Sequence, residues 1–379
     1  MDFSYTEVQQ MLKDQVQRFV QKSYDFDTRN KIIASEQGFS AENWALFAEL
    51  GWLAVPFTEE DGGLGGSAVD LIVLMEEFGK ANLVEPFLAT AVLGGGLVAR
   101  LAEGDRKEQL LGEIMSGELQ LALAFSEEGS RFNLANVTTS AKADGDNVTI
   151  SGKKVAALNG TAAQQLVVVA RESGEPTSRD GVSVFLVDAA SPGVKLQSYP
   201  TIDGKRAADI TFTDVTVPAS NRLGEAGKAL AVLEAVIDMA TVGVSAEAVG
   251  ALEMLLHKTV EYSKARTQFG VPIGTFQALQ HRMADMFVEC QLARSIVLMA
   301  AMQIDSSEPE QEKNRAVSAA KSRVGKAIRK VGQEAIQIHG GIGTTEELDV
   351  GHFFKRVTAL EVLFGNTDFH TDRFAQLSD

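Results

Sequence analysis

The chain turns sharply at Arg266-Thr267-Gln268-Phe269-Gly270-Val271-Pro272-Ile273-Gly274. On either side of this segment, apolar residues recur at helical spacing, from about Ala229 to Tyr262 and from Leu279 to Ile304. Two glycines and a proline within the segment end a helix and force a tight connection. The pattern predicts a short hinge between two long helices, so the last part of the chain is predicted to be a helical bundle.

Three side chains of the hinge, which we define as Arg266–Gln277, have chemistry that suits a nucleotide. The Arg266 guanidinium can bind a phosphate, the Phe269 ring can lie against a purine, and the Gln277 carboxamide can bond polar edges. The alternative is an ordinary helix hairpin with a solvated arginine and a core phenylalanine. Spacing alone favours that ordinary hairpin, because most such connections bind nothing.

Charge and cysteine content narrow the classes of partner. The chain has 379 residues and a formal net charge of −16, without a Lys/Arg-rich block. The length suggests two or three domains. Because a polyanion would be repelled, we expect neither nucleic acid nor an anionic membrane surface as a partner. Cys290 is the only cysteine, which excludes an intrachain disulfide and a cysteine-rich metal site, and we expect no metal.

Two stretches of sequence bear on where the protein works. The longest apolar stretch, Ala229 to Leu256, is interrupted by four acidic residues, which predicts a buried helix and no membrane span. The first five residues lack the basic region and apolar core of a signal peptide. A cytoplasmic location is therefore predicted.

The hydrophobic period divides the chain into three segments. Residues 1–118 have helical patterns, residues 119–223 change to a period of two with many β-branched residues, and residues 224–379 are helical again. The clearest predicted strands begin at Val148, Gln165, Val182 and Asp209. This order predicts an α+β protein with a middle β-barrel or sandwich. Long helices that are apolar on more than one face also predict an oligomer.

A second glycine-rich turn, Gln337-Ile-His-Gly-Gly-Ile-Gly-Thr-Thr-Glu346, closes the predicted fourth helix of the last segment. Consecutive glycines at a helix end let a backbone or a ligand approach closely. His339 within the turn has no second histidine, cysteine or carboxylate at ligand spacing. A structural histidine is therefore a better interpretation than a metal ligand or a general base.

The order of these segments and motifs resembles the acyl-CoA dehydrogenase family, and the resemblance spans the whole chain. The motifs that carry it, besides the hinge and the second turn, are Leu50-Gly-Trp-Leu-Ala-Val-Pro, Gly62-Gly-Leu-Gly, Ser126-Glu-x-Gly-Ser, Gly152-x-Lys with Gly160, and Phe353-x-Lys-Arg356. The resemblance implies an N-terminal helical domain (1–118), a middle antiparallel β-barrel or sandwich (119–223) and a C-terminal four-helix bundle (224–379).

The resemblance also implies a flavoprotein that converts an acyl-CoA thioester to the 2-enoyl-CoA. A base removes the Cα proton, the Cβ hydride passes to FAD, and electrons leave to an electron-transferring flavoprotein. In the family, FAD lies between the β domain and the C-terminal bundle, and a neighbouring subunit holds its adenine end. A dimer of dimers is the implied assembly, either a homotetramer or a heteromer with a second acyl-CoA dehydrogenase subunit.

Site residues follow from the resemblance position by position. Arg266, Phe269 and Gln277 match positions that grip the pyrophosphate and adenosine of FAD across the subunit interface. The other implied cofactor contacts are Gln337, Gly340, Gly341, Ser126, Asn366 and Asp368. Ser130 falls near the CoA thioester arm. Thr241 is an expected substrate contact, although small residues on a helix also serve close packing.

The sequence departs from the family where the catalytic base is needed. Most members have a glutamate immediately before a glycine in the last helical turn, and Phe364 stands there in this chain. A minority place the glutamate on the long helix, where this chain has Ala240. Asp238 lies two residues from Ala240, which on a helix rotates it by about 200° away from the site, so it is a poor substitute. Asp368 lies one turn beyond Phe364 and is instead expected to contact the cofactor. A displaced base in this chain would be one of these two aspartates. The flavin-facing segment, with Ala156, Ala157 and Leu158, also lacks the usual aromatic and hydroxyl side chains. The catalytic base is left unassigned.

Three interpretations follow from these departures. The chain is a homomeric acyl-CoA dehydrogenase with a displaced base, or a subunit of a heteromeric enzyme that takes its base from another chain, or a non-catalytic acyl-CoA-binding homologue. The loss of the base beside an intact hinge favours the heteromer. Leu363-Phe364-Gly365 also resembles the small-subunit branch of the family, typified by pimeloyl-CoA dehydrogenase.

Overall fold

In the computed structural model, which describes residues 5–378, helices occupy both ends of the chain and a mixed sheet lies between them in sequence. The chain divides into two units. One comprises the residues up to Lys31, Ala68–Leu83 and the residues from Thr241 onward, and the other comprises Ile32–Ser67 and Val84–Ala240. This division cuts across the predicted boundaries at 118/119 and 223/224, so those boundaries stay a prediction.

The helices agree with the predicted periodicity. They are α1 (Glu7–Ser23), α2 (Phe26–Ala34), α3 (Ala41–Glu49), α4 (Ala68–Ala81), α5 (Gly95–Leu101), α6 (Gly104–Met115), α7 (Leu230–Ala265), α8 (Gln277–Ile304), α9 (Glu310–His339), α10 (Asp349–Val362) and α11 (Thr367–Gln376). A π-helical segment, Leu88–Gly94, precedes α5. Thr6 caps α1 in a reciprocal arrangement, because its hydroxyl accepts from the Gln9 amide at 3.2 Å and its own amide donates to the Gln9 side chain at 3.0 Å.

Helices α4 and α7 cross at two glycines. A Cβ added to Gly250 would stand 1.9 Å from the Glu76 carbonyl oxygen, and one added to Gly79 would stand 1.9 Å from the Glu247 carbonyl oxygen. Beside this crossing, Glu247 pairs with Arg356 of α10 through two contacts of 2.7 and 2.8 Å, and both side chains are buried. The two glycines therefore set how closely the backbones of α4 and α7 approach.

The sheet contains all four of the strands that the sequence predicted most clearly and four more. Its strands are β1 (Leu121–Ala124), β2 (Ser140–Asp144), β3 (Asn147–Leu158), β4 (Gln165–Arg171), β5 (Val182–Asp188), β6 (Val194–Pro200), β7 (Arg206–Pro218) and β8 (Arg222–Leu223). The four additional strands are β1, β2, β6 and β8. The hydrogen-bonded order is β6-β7-β3-β2-β4-β5-β8, with β1 on β4. The apolar face of the sheet is filled by small and β-branched side chains around Phe185 and Phe212.

The α+β class and the three-part order are confirmed, but the sheet is not wholly antiparallel. Strands β1 and β2 both pair with β4 in parallel. A parallel pair needs a long connection, and the β2–β3 hairpin lies within the connection from β1 to β4. The predicted wholly antiparallel barrel or sandwich is therefore wrong in this detail, because local periodicity does not encode pairing between distant strands.

Among residues 5–378, two helices, α7 and α8, are long and apolar enough to cross a membrane by length and composition alone. The most apolar window of α7 is 89% buried inside the protein, as expected for a core helix, whereas that of α8 is only 28% buried. The absence of a membrane span stays a prediction from the sequence.

Candidate cofactor and substrate site

The hinge folds as a two-residue β-hairpin. Strands β9 (Thr267–Gln268) and β10 (Val271–Pro272) pair antiparallel, and the amide of Ile273 donates to the Arg266 carbonyl at 2.8 Å. Phe269 and Gly270 at the tip have φ angles of 54° and 83°, the backbone of a type I′ turn. Glycine adopts this conformation freely, but at Phe269 it costs about 1–2 kcal/mol. A bulky residue held in this way marks a position selected for something other than stability.

The hinge presents its side chains outward. The Phe269 side chain is 92% exposed and meets the Phe276 ring edge to face, with 6.1 Å between ring centroids. Arg266 and Gln277 are also exposed, and within residues 5–378 no carboxylate pairs with the Arg266 guanidinium. A large exposed aromatic ring beside an unpaired guanidinium is typical of a binding surface. The ordinary-hairpin alternative placed Phe269 in the core, and the exposure of its ring shows that this placement is wrong.

The second glycine turn lies close to the hinge. Tyr262, in the last turn of α7, donates through its hydroxyl to the His339 carbonyl at 3.3 Å, and its ring stacks on the His339 imidazole at 4.4 Å. Gly340 and Gly341 are exposed, and a Cβ at either would meet nothing within 4 Å. Gln337 is exposed one turn earlier. The structure therefore brings the two predicted groups of cofactor residues onto the same end of α7.

His339 has the structural role that the sequence predicted. Its Nδ1 donates to the Ala335 carbonyl at 2.8 Å, which leaves Nε2 without the proton. Burial lowers the pKa of His339 below its ordinary value. The neutral imidazole therefore closes α9 and supports Tyr262.

The loop Ser126–Arg131 is built on a buried ion pair. Lys154 is fully buried, and its Nζ donates to Glu127 at 2.7 Å and to the Phe125 carbonyl at 3.2 Å. The Glu127 carboxylate also accepts from the amides of Thr138 and Thr139 at 2.9 and 3.0 Å. Burial opposes ionisation of Glu127, but the Lys154 charge and these donors outweigh it and lower the pKa of Glu127 to about 2. This pair explains the lysine of the Gly152-x-Lys motif.

The two serines of this loop are placed differently. The Ser130 hydroxyl is buried in the turn, where it donates to the Glu127 carbonyl at 2.9 Å and accepts from the Glu127 amide at 3.0 Å. Ser126 is half-buried, and within residues 5–378 its hydroxyl has no hydrogen-bond partner. Ser126 can therefore serve a ligand directly, whereas Ser130 shapes the loop. Their contacts with cofactor and substrate stay predictions.

The positions expected for a base carry no acid. Phe364 is half-buried with a φ angle of 61°, and Ala240 is fully buried in α7. Asp238 is also buried on α7, and Asp368 lies exposed in the first turn of α11. The closest acid in sequence to Phe364 is Glu361, whose carboxylate accepts from Arg329 at 3.0 Å and from the Thr367 hydroxyl at 2.8 Å. Glu361 is therefore engaged inside the helical unit and is not a free base.

The remaining predicted contacts have local structural partners. Asn366 caps α11, because its side chain accepts from the Phe369 amide at 3.0 Å. Thr241 is buried within α7, and its carbonyl accepts from the Ser245 hydroxyl at 2.7 Å. Their roles toward cofactor and substrate, like that of Asp368, stay predictions.

Models of the N-terminal, middle and C-terminal domains of acyl-CoA dehydrogenases match residues 6–118, 122–215 and 228–377. Acyl-CoA dehydrogenase fadE12 of Mycobacterium tuberculosis is 30% identical over 323 residues, which is 84% of this chain and 82% of the relative. The chain belongs to the acyl-CoA dehydrogenase family. As an acyl-CoA dehydrogenase it is an oxidoreductase that acts on CH–CH groups, and its cofactor is FAD.

Two solved structures resemble this chain over nearly its whole length. The ChsE4–ChsE5 complex of Mycobacterium tuberculosis contains a chain with a TM-score of 0.89 and 25% identity, over 99% of this chain and 98% of that one. The FAD complex of PigA has a TM-score of 0.90 and 25% identity, again over 99% and 98% of the two chains. The first is a complex of ChsE4 with ChsE5, and the second is a complex of PigA with FAD.

The residues of this acyl-CoA dehydrogenase fit part of FAD. Arg266, Phe269 and Gln277 supply a cation, a free aromatic face and a carboxamide, and the open space at Gly340 and Gly341 admits a ligand against the backbone. These groups suit a diphosphate and an adenosine. The segment from Ala156 to Leu158 offers a flavin ring no side-chain hydrogen-bond donor. The fit is therefore to the adenosine diphosphate part.

Sequence reasoning missed a buried polar cluster beneath Phe364. Lys321 and His370 are almost inaccessible to solvent, and both bond backbone carbonyls near that residue. The sequence around Lys321 and His370 does not indicate that either is buried. The partner of Lys321 lies 40 positions away along the chain, and the partner of His370 lies 6 positions away, across the turn between two helices. Only the packing of α9, α10 and α11 brings them together.

Proposed function

We propose that this acyl-CoA dehydrogenase is one subunit of a heteromeric enzyme that oxidises an acyl-CoA thioester to the 2-enoyl-CoA. In this proposal its hinge holds the adenosine diphosphate part of FAD at a subunit interface, and another chain supplies the catalytic base. When bound, FAD supplies the two-electron acceptor for the dehydrogenation. Electrons then leave to an electron-transferring flavoprotein, and the cytoplasmic location inferred from the sequence is part of the same proposal.

One observation carries the proposal: the hinge is intact and exposed while both base positions are apolar. Removal of a proton from Cα requires a group that accepts it within hydrogen-bond reach. Phe364 and Ala240 cannot accept a proton, and Glu361 is engaged by Arg329 and Thr367. A chain that keeps a cofactor clasp without a base is best explained as half of a shared site.

The surface of α8 supports assembly with a second chain. Four large apolar side chains of α8 are 42–54% exposed, and they are Phe287, Val288, Leu292 and Met299. Several large apolar side chains exposed on one helix favour a protein interface there. The hinge leads directly into α8, so the occupant we propose is a second acyl-CoA dehydrogenase chain whose FAD meets the hinge. The ChsE4–ChsE5 complex is a related assembly of two different chains.

Hinge variants test the proposal in the complex with a partner chain, for which the acyl-CoA dehydrogenase product of a neighbouring gene is the first candidate. Arg266→Ala removes the phosphate-binding cation, and Phe269→Gly removes the ring while it keeps the left-handed turn. Because charge-assisted hydrogen bonds contribute about 1.5–3 kcal/mol, Arg266→Ala is expected to weaken FAD binding by about tenfold or more. Fluorescence titration of the apo-complex with FAD measures the affinity.

Gln268→Ala is the matched control, because Gln268 lies on the same hairpin and, in the described part of the chain, its side chain bonds only the neighbouring Thr267 carbonyl, at 2.8 Å. It is expected to leave the affinity within about twofold. Equal FAD affinity in the parent complex, in Arg266→Ala and in Phe269→Gly would show that the hinge does not touch the cofactor.

A further inference from the structure

Residue 364 holds an unusual backbone between two helices. Phe364 has a φ angle of 61° and the following Gly365 one of 119°. The two residues connect α10 to α11, and the Gly365 amide donates to the Val362 carbonyl at 3.3 Å. A phenylalanine in the left-handed region persists only where its surroundings fix it, so the neighbouring contacts carry information about why it is there.

One set of contacts fixes the end of α10. The Lys321 ammonium, from α9, donates to the Leu360 and Glu361 carbonyls at 2.5 and 3.0 Å. Lys321 is only 2% exposed. These carbonyls are among the last four of the helix, which have no partner within it. The Lys321 Nζ at this place caps α10 through its N–H groups. Burial lowers the pKa of Lys321 to about 7, and its protonated form also favours the negative dipole end of the helix.

A second set of contacts fixes the turn and the start of α11. The Nε2 of His370 donates to the Phe364 carbonyl at 3.1 Å, and its Nδ1 lies 3.4 Å from the Ser318 hydroxyl. The Glu361 carboxylate accepts from the Thr367 amide at 3.2 Å and from its hydroxyl at 2.8 Å. Backbone groups before, at and after residue 364 are thus bonded to buried side chains.

We propose that Lys321, Glu361 and His370 form a buried clamp that fixes residue 364 in the left-handed conformation and so positions its side chain. The clamp acts on the backbone, which makes it independent of the side chain at 364 and of any ligand. These three are positioning residues, because they fix the backbone of residue 364, the position at which most members of the family have their catalytic base. This chain has the positioning contacts although the side chain at residue 364 is phenylalanine, and the proposal does not depend on which chain supplies the base.

A cysteine at position 364 reports on the clamp. The chain's own Cys290 is buried and its pKa is raised to about 12, because burial and neighbouring carboxylates disfavour the thiolate. In the full chain with Phe364→Cys, iodoacetamide therefore labels the new thiol selectively. The labelling rate is measured with His370 present, with His370→Leu, which removes the donor, and with His370→Gln, which keeps an N–H near the Nε2 position.

The clamp predicts a specific order of labelling rates. His370→Leu is expected to raise the rate by at least about fivefold, because an unfixed non-glycine residue leaves the left-handed region. Lys321→Met, which removes the helix cap, is expected to do the same. His370→Gln is expected to stay within about twofold of the parent. Equal rates in all four proteins, with circular dichroism and melting temperature unchanged, would overturn the proposal.

Hydrogen exchange of the unsubstituted protein provides a test that does not depend on the folding of a variant. The Gly365 amide bonds Val362, so a fixed turn is expected to protect it by at least about a hundredfold relative to an unstructured peptide. Exchange of the 363–366 amides at the unprotected rate in the native protein would show that nothing holds the turn, and the clamp would be rejected.

Discussion

At the scale of single residues, His370 makes stability depend on pH. Burial and the nearby Lys321 charge lower the pKa of His370 from its ordinary value of 6.5 to about 3. The unfolded chain therefore binds a proton below pH 6.5 that the folded chain does not, and stability is lost as pH falls from 6.5 toward 3. Between pH 7 and pH 5 this proton uptake lowers the free energy of unfolding by about 2 kcal/mol.

Urea unfolding at pH 7 and pH 5 measures this effect. The parent protein is expected to lose more unfolding free energy between the two pH values than His370→Gln, whose side chain does not titrate. A parallel loss in both proteins would mean that the folded protein protonates His370 as readily as water-exposed histidine.

Two neighbouring lysines provide a second comparison at this scale. Lys154 is fully buried against Glu127, whereas the Lys153 side chain is 48% exposed and pairs with the exposed Glu128 at 2.8 Å. Lys154→Met leaves a buried carboxylate without its cation and is expected to cost about 3–5 kcal/mol in unfolding free energy. Lys153→Met is expected to change it by less than about 0.5 kcal/mol. Chemical denaturation at pH 7 measures both, and similar losses would contradict the role given to Lys154.

At the scale of elements, the α4–α7 crossing depends on the absence of two side chains. Gly250→Ala would place a methyl group 1.9 Å from the Glu76 carbonyl oxygen, so the helices must separate. We expect a loss of about 1–3 kcal/mol in unfolding free energy. Gly112 of α6 is the control, because a Cβ there meets nothing within 4 Å. Gly112→Ala is expected to be neutral or stabilising by up to about 1 kcal/mol. The midpoints of chemical denaturation measure both effects. A Gly250→Ala protein as stable as the parent would contradict the close crossing of α4 and α7.

The elements that could be predicted from the sequence are those in which apolar residues recur at regular spacing over a long segment. Helices α7, α8 and α9 and strands β3, β4, β5 and β7 follow directly from this regular spacing. Strand β2 is mostly polar and exposed, and β1 is only four residues long and buried throughout, so neither shows an alternating pattern. Their parallel pairing with β4 joins residues about 30–45 positions apart, which local periodicity does not encode.

At the scale of the whole molecule, the candidate site could be predicted in part. Arg266, Phe269 and Gln277 could be predicted because their chemistry coincides with helix-ending residues, and the structure shows all three exposed within the hinge. Predicting Lys321 and His370 would have required their burial, which arises only when three helices pack. The loss of the base was visible because it replaces a carboxylate by an apolar side chain at a position defined by the family likeness.

The central claim is that this chain clasps a shared FAD but takes its catalytic base from another chain. The most direct measurement is the oxidation of octanoyl-CoA with an artificial electron acceptor, together with flavin content by visible absorption, for the purified chain alone and for its complex with the partner chain. The account predicts weak FAD binding and negligible turnover by the chain alone, with activity only in the complex. Stoichiometric flavin and robust turnover by the chain alone would contradict it.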